Sequence, residues 1–140
     1  KLKVLVADSY GTVYLAIVFY TQTPYQSFIV VKSSISRFAF SLKKEEHIFK
    51  SLCEGESGGC EKIIRCFRIE TTVEHGHYFY NLLLEYAPHD FLDDLMHKKP
   101  LPETDMSVYA RIIVKGLSHI HHKGIVHCDL KLGYAQIVND

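Results

Sequence analysis

The sequence carries no excess of charge of either sign: sixteen Lys and Arg side chains balance sixteen Asp and Glu. A neutral surface supplies no field for nucleic acid or for an anionic membrane, so neither is an expected partner. Long hydrophobic runs are missing as well. The longest, such as residues 14–20, fall far short of the roughly 20 apolar residues that a helix needs to cross a bilayer. The four cysteines, Cys53, Cys60, Cys66 and Cys128, show no paired C-x-x-C spacing and follow no secretory signal. They read as reduced thiols of a cytoplasmic protein rather than a disulfide framework. Nine histidines include His75 and His77, and His119, His121 and His122, but no tetrahedral set is visible. A turn pair and a solvated helix end are the expected roles, and no metal site is assigned. There is no internal repeat, no low-complexity tract and no initiating methionine, and the sequence reads as a piece of something longer.

What is present describes a globular chain. Its 140 residues are 47% hydrophobic and 23% charged, enough for one substantial core. Residues 1–7 alternate, with Leu2, Val4 and Val6 on one side, and residues 8–11 supply a turn. Residues 12–20 are β-branched and aromatic, a polar stretch with Pro24 follows, and residues 28–32 form a third apolar run. This order predicts an antiparallel meander.

The period then changes. Leu42, Glu45, Phe49 and Leu52 recur at helical spacing, predicting a helix over residues 41–52. Glu45 falls on the apolar stripe, where a bare carboxylate is costly. Either it sits at the stripe's edge and reaches water, or a cation from the sheet meets it, with Lys32 the obvious candidate. Beyond a Gly/Ser/Glu loop at residues 53–60, strands are predicted over 66–73 and 77–85, joined by a tight turn at Glu74-His75-Gly76. A short helix over 91–96 and a long one over 103–122 follow. The long helix carries Met106, Tyr109, Ile113, Gly116, Leu117 and Ile120 as a stripe, with acidic residues first and His and Lys last, as the helix dipole favours. The expected fold class is α+β, with a five-stranded antiparallel sheet and one helix over residues 1–87 and a helical segment over residues 88–140.

Ile29-Val30-Val31-Lys32, the Glu45 helix, Leu84-Glu85-Tyr86-Ala87-Pro88 and His127-Cys128-Asp129-Leu130-Lys131 occur in the order found in protein kinases. The chain resembles the first half of a eukaryotic serine/threonine protein kinase domain. Tyr10-Gly11-Thr12-Val13-Tyr14-Leu15 and the run ending at Lys131 are most similar to plant MAP kinase kinase kinases. The resemblance implies a kinase N-lobe with its helix C, a hinge, and the first helices of a truncated C-lobe. It also implies roles. Lys32 would hold the α- and β-phosphates of ATP with Glu45 as its partner. Leu5, Val13 and Val30 would line the adenine slot under Gly11 of the glycine-rich loop. Leu84 would be the gatekeeper, and Glu85 to Ala87 would offer hinge backbone to the adenine edge. Asp129 would accept the substrate hydroxyl proton, and Lys131 would neutralise the γ-phosphate.

The pattern also breaks. Val6 and Asp8 stand where the family has the first two glycines of its phosphate loop, putting a Cβ and a negative charge where a triphosphate approaches. Val30 replaces the usual alanine, Asp90 and Phe91 replace Gly-Ser, and Cys128 replaces an arginine. Tyr134 takes the place of the magnesium-binding asparagine. In a second alignment that segment is deleted and Asp140 becomes the magnesium aspartate; the two alignments stay open. The resemblance implies ATP and magnesium as cofactors, a downstream kinase as protein substrate, and a cytoplasmic or nuclear location. The expected function is phosphoryl transfer from ATP to protein hydroxyls. The alternative is a pseudokinase module that binds a partner without catalysis.

Overall fold

A computed structural model of the chain describes residues 1–8, 11–19, 26–53, 60–87, 92–98, 100–131 and 135. The Ser9–Tyr10 part of the first turn, the Pro24 stretch, most of the 53–60 loop, Pro88, Asp90, Phe91, Tyr134 and Asp140 lie outside them. Two compact units emerge: Lys1–Ser51 with Ile64–Tyr86, and Leu52–Ile63 with Ala87–Asp140.

The first unit is a five-stranded antiparallel sheet in the order β1-β2-β3-β5-β4, with β1 Lys3–Asp8, β2 Gly11–Phe19, β3 Gln26–Ile35, β4 Cys66–Glu74 and β5 His77–Glu85. The first three strands form the meander that the alternation predicts. The last hairpin enters with β5 beside β3, so β4 lies on the edge. β3 is longer than the apolar run at 28–32, continuing through Ser33, which both β2 and β5 pair, and through Ser34 and Ile35, which β5 pairs. At the β4–β5 turn, Glu74 pairs with His77, and His75 (φ 50°) and Gly76 (φ 78°) both adopt the left-handed conformation. Positive φ at both central residues matches the strand twist and marks a type I′ hairpin.

One turn of 3-10 helix, Ser36–Phe38, leads from β3 into α1, Phe40–Cys53. Its stripe behaves as the spacing predicts: Leu42 is fully buried, Leu52 is buried, and Glu45 and Phe49 are half-buried. Leu42 and Leu82 are the largest side chains completely removed from solvent, each stabilising the fold by about 1.5–3 kcal/mol. On the other face of the sheet, Ala16, Ile29, Val31 and Leu83 form a buried cluster flanked by Tyr14 and Val18. Ser33 and Asn81, directly opposed on β3 and β5, are also buried, and Ser33 Oγ and Asn81 Oδ1 lack a hydrogen-bond partner among the described residues.

The second unit contains α2, Leu92–Lys98, and α3, Glu103–His122. Glu103 and Asp105 open α3 and three histidines close it, in agreement with the dipole argument. Its end is fixed by Gly124 (φ 70°), with Gly124 N–H donating to His121 O and Ile125 N–H to Ile120 O, the Schellman arrangement that needs a left-handed residue at this position. Along the stripe, Gly116 is buried, Tyr109, Ile113, Leu117 and Ile120 are half-buried, and Met106 is exposed. Gly116 is small for a reason: a Cβ there would stand 3.3 Å from the Lys62 carbonyl oxygen. His119 Nε2 lies 3.0 Å from the Leu52 carbonyl oxygen at the end of α1.

Candidate functional site

In the first unit the sheet presents Lys32 to α1. Directly opposed residues of antiparallel strands project to the same side. The register pairs Val13 with Lys32, Lys32 with Leu82, Leu15 with Val30, and Val30 with Leu84. Val13, Val30, Lys32, Leu82 and Leu84 therefore share one face. Helix α1 contributes Glu45 to it, and Lys32 Nζ donates to Glu45 Oε2 at 2.7 Å and to Oε1 at 3.0 Å. The sequence reading of a carboxylate met by a sheet lysine is thus realised. The pair is less enclosed than an apolar stripe suggests, since the two side chains are 36% and 32% exposed. A cation so placed is oriented by its partner yet open to a ligand.

Gly11 and Leu5 occupy places that the motif reading did not anticipate. Gly11 has φ 156°, and a Cβ on it would lie 2.5 Å from the Ser33 carbonyl oxygen. The strand pairing itself, apart from any phosphate, requires glycine here. Leu5 is the extra residue of a bulge between the pairs Val4–Tyr14 and Val6–Val13, and it is 43% exposed. The bulge sets it apart from the regular alternation and puts it beside Val13, which Val6 opposes.

The segment at Glu85 and Tyr86 is braced within the same unit. Glu85 closes β5 opposite Ile29. Its carboxylate accepts hydrogen bonds from Arg65 Nη2 at 3.2 Å, Arg65 Nε at 3.4 Å and the Arg65 backbone N–H at 3.1 Å. In return Glu85 N–H donates to Arg65 O at 2.9 Å. Burial alone would raise the Glu85 carboxyl, but the hydrogen bonds from Arg65 outweigh it and hold it below its ordinary value. Next along, the Tyr86 ring meets Phe28, centroids 5.8 Å apart. Ala87 is buried and belongs to the second unit.

The second unit holds Asp129 and Lys131. Lys131 Nζ stands 3.8 Å from Asp129 Oδ2, and both side chains are more than half exposed. Asp129 N–H donates to His127 O at 2.9 Å and faces His127 Nδ1 at 3.4 Å. Between them Cys128 takes φ 61°, a left-handed conformation that costs a non-glycine residue about 1 kcal/mol. This bend turns the chain sharply between His127 and Asp129. Among the described residues, no three His, Cys, Asp or Glu side chains gather as a metal site. In the first unit Lys32 is a cation about one-third open to an anionic ligand, and in the second Lys131 is more than half exposed. No described set suits a magnesium ion.

Three features escaped the sequence reading: the Arg65–Glu85 brace, the left-handed Cys128, and a hydrogen bond from Tyr80 to Glu46 on α1. The pair Glu45-Glu46 followed by Lys50 hints at the third, since adjacent carboxylates on a sheet-facing helix each need a partner.

The protein kinase domain family matches this chain over residues 5–133. Mitogen-activated protein kinase kinase kinase 20 of Arabidopsis thaliana is 40% identical over 119 residues, covering 83% of this chain and 33% of that relative. Mitogen-activated protein kinase kinase kinase 17 of the same plant is 41% identical over 106 residues, covering 74% of this chain and 27% of the relative. A probable serine/threonine-protein kinase of Zea mays, CCRP1, is 35% identical over 78 residues, covering 51% of this chain and 12% of the relative. The chain spans about a third or less of the length of these relatives.

Proposed function

The chain belongs to the protein kinase domain family, and from that premise we propose that it supplies the nucleotide-holding part of an ATP-dependent serine/threonine kinase. The protein as a whole transfers the ATP γ-phosphate to a hydroxyl of another protein in intracellular signalling. Its resemblance to mitogen-activated protein kinase kinase kinases favours a downstream kinase as that substrate, and a cytoplasmic place is part of the same proposal.

The observation that carries this reading is the Lys32–Glu45 pair. Phosphoryl transfer is positioning plus charge neutralisation, and the first requirement is a lysine held still beside the phosphates. Lys32, gripped by two oxygens and one-third exposed, offers a fixed positive charge to the α- and β-phosphates. Val13, Val30 and Leu84 give adenine an apolar surface on the same sheet face, and the braced Glu85 segment presents backbone to its edge. In this family magnesium would accompany ATP and supply neutralisation of phosphate charge, and no described set of residues here would hold it. The protein's own part in that neutralisation falls to Lys32 in the sheet unit, and the family resemblance alone assigns a like part to Lys131 in the second. Asp129 takes the proton of the attacking hydroxyl, and the bond made to phosphorus is balanced by loss of ADP.

The pair also favours the enzyme reading over the scaffold alternative, because a module relieved of nucleotide has no use for an oriented, accessible lysine. The test is binding of a fluorescent ATP analogue to wild type, Lys32→Ala and Asp129→Asn. Lys32→Ala is expected to lose affinity, whereas Asp129→Asn keeps affinity and loses phosphate transfer. Equal affinity in wild type and Lys32→Ala would refute the assignment.

A further inference from the structure

Helix α1 is tied to the sheet at a second point beside the first. Glu46, the neighbour of Glu45, accepts a hydrogen bond from the Tyr80 hydroxyl through Oε2. Its other oxygen meets Lys50, one turn along the helix, at 2.5 Å. Tyr80 opposes Ser34 on β3, just as Leu82 opposes Lys32, so Tyr80 projects on the Lys32 side of the sheet, one pleat away. The Nζ of Lys43 stands 5.7 Å from the centre of the Tyr80 ring. Residues 43 and 46 of α1 thus bracket one aromatic side chain of β5.

The two ties differ in exposure and in direction. Glu46 is 14% exposed, against 32% for Glu45, so water competes less for the second tie than for the first. Burial, and then the Glu46 hydrogen bond, push the Tyr80 hydroxyl up to about 12. It therefore remains a proton donor throughout the physiological range. Consecutive helical residues point about 100° apart around the axis. Buried Leu42 and Leu52 already hold one face of α1, and two ties of divergent direction narrow its rotation about the Lys32 link further. We infer that Tyr80 is a positioning residue: by holding Glu46 it sets the rotation of α1 at which Glu45 meets Lys32. This rests on the reading of Lys32 as the phosphate-holding lysine.

The test replaces Tyr80 with Phe, which removes only the hydroxyl, and measures two independent quantities. The first is the affinity for ATP relative to adenosine, since only ATP draws on Lys32. Tyr80→Phe should lower ATP affinity about three- to tenfold, the net worth of an ordinary hydrogen bond, and leave adenosine affinity unchanged. The second is the rate at which an acylating reagent modifies Lys32 in nucleotide-free protein, read by peptide mass spectrometry. It should rise in Tyr80→Phe toward the rate in Glu45→Ala. Glu46→Ala should match Tyr80→Phe, while Glu46→Gln, which keeps an acceptor for the hydroxyl, should stay near wild type in both measurements.

A purely structural tie would lower the unfolding midpoint without moving the ATP-to-adenosine ratio or the acylation rate, and that result overturns the inference. If wild type binds neither ligand but Lys32 acylation still rises in Tyr80→Phe, the positioning role stands and the nucleotide assignment falls. If wild type binds ATP and Tyr80→Phe matches it in both measurements, the assignment stands and the positioning role falls.

Discussion

Lys32 Nζ lies within hydrogen-bond distance of both Glu45 oxygens, 2.7 and 3.0 Å, with each side chain about one-third open to solvent. A pair so exposed stabilises the fold by only about 0–1 kcal/mol, because water screens it and two long side chains lose freedom. Its consequence is orientation. Glu45→Ala is therefore expected to change the unfolding free energy in urea by less than about 1 kcal/mol. The same substitution should cost ATP affinity about tenfold, because a freed lysine must then be ordered by the phosphates alone. A stability loss of about 3 kcal/mol would show instead that the pair is structural.

Gly11 is required by strand pairing. An alanine Cβ would stand 2.5 Å from the Ser33 carbonyl oxygen, against backbone that two neighbouring strands hold. Gly11→Ala should destabilise the sheet by about 2–3 kcal/mol, seen as a lower unfolding midpoint without any nucleotide present. An unchanged midpoint would mean that β2 can shift at no cost.

Ser33 gives the opposite expectation. Its hydroxyl is buried without a partner among the described residues, so its removal deletes a desolvated group and breaks no described bond. Ser33→Ala should leave stability unchanged or raise it by up to about 1 kcal/mol. Asn81→Ala should instead cost about 1–3 kcal/mol, because its Nδ2 donates to Glu70 O and Thr72 Oγ1. Urea unfolding of the two variants side by side separates these outcomes.

The dependence of stability on pH has two limbs. Hydrogen bonds from Lys50 and Tyr80 hold Glu46 below its ordinary value of 4.5, Lys1 does the same for Glu74, and Arg65 outweighs burial at Glu85. A carboxyl lowered by folding stabilises fully above its unfolded value, and that stability drains as pH falls below about 4.5 through the folded values. Tyr80 runs the other way. Its folded value is raised from 10.0 to about 12, so its contribution is complete below 10.0 and is lost as pH climbs toward 12. Lysines titrate in the same range, so the expected signature is a difference: between pH 10 and 12, wild type loses more stability than Tyr80→Phe. Parallel curves for the two proteins would remove Tyr80 from the account.

Much of this arrangement was legible in the sequence, and the reasons are specific. Glu45 on an apolar stripe announced a partner, and Lys32, at the end of an apolar run, was the cation to supply it. The hairpin turn at 74–76 was visible because His75-Gly76 suits left-handed backbone. The extent of β3 was hidden, since Ser33 and Ser34 break the apolar pattern. They are buried all the same: Ser33 pairs with Thr12 of β2 and Asn81 of β5, and Ser34 with Tyr80 of β5. The Arg65–Glu85 brace and the Tyr80–Glu46 tie depend on register between distant strands and on the rotation of a helix. Neither quantity is written in local periodicity. The bulge at Leu5 and the left-handed Cys128 are backbone events with no residue-type signature at their positions.

The central claim is that Lys32, oriented by Glu45, makes this chain a holder of nucleotide phosphates. Equilibrium binding of magnesium-ATP to wild type and to Lys32→Ala, followed by calorimetry with adenosine as the control ligand, tests it most directly. The account predicts that wild type binds ATP more tightly than adenosine, that Lys32→Ala loses this advantage, and that adenosine affinity is the same in both. ATP bound equally well by the two proteins, or no preference for ATP over adenosine in wild type, would contradict it.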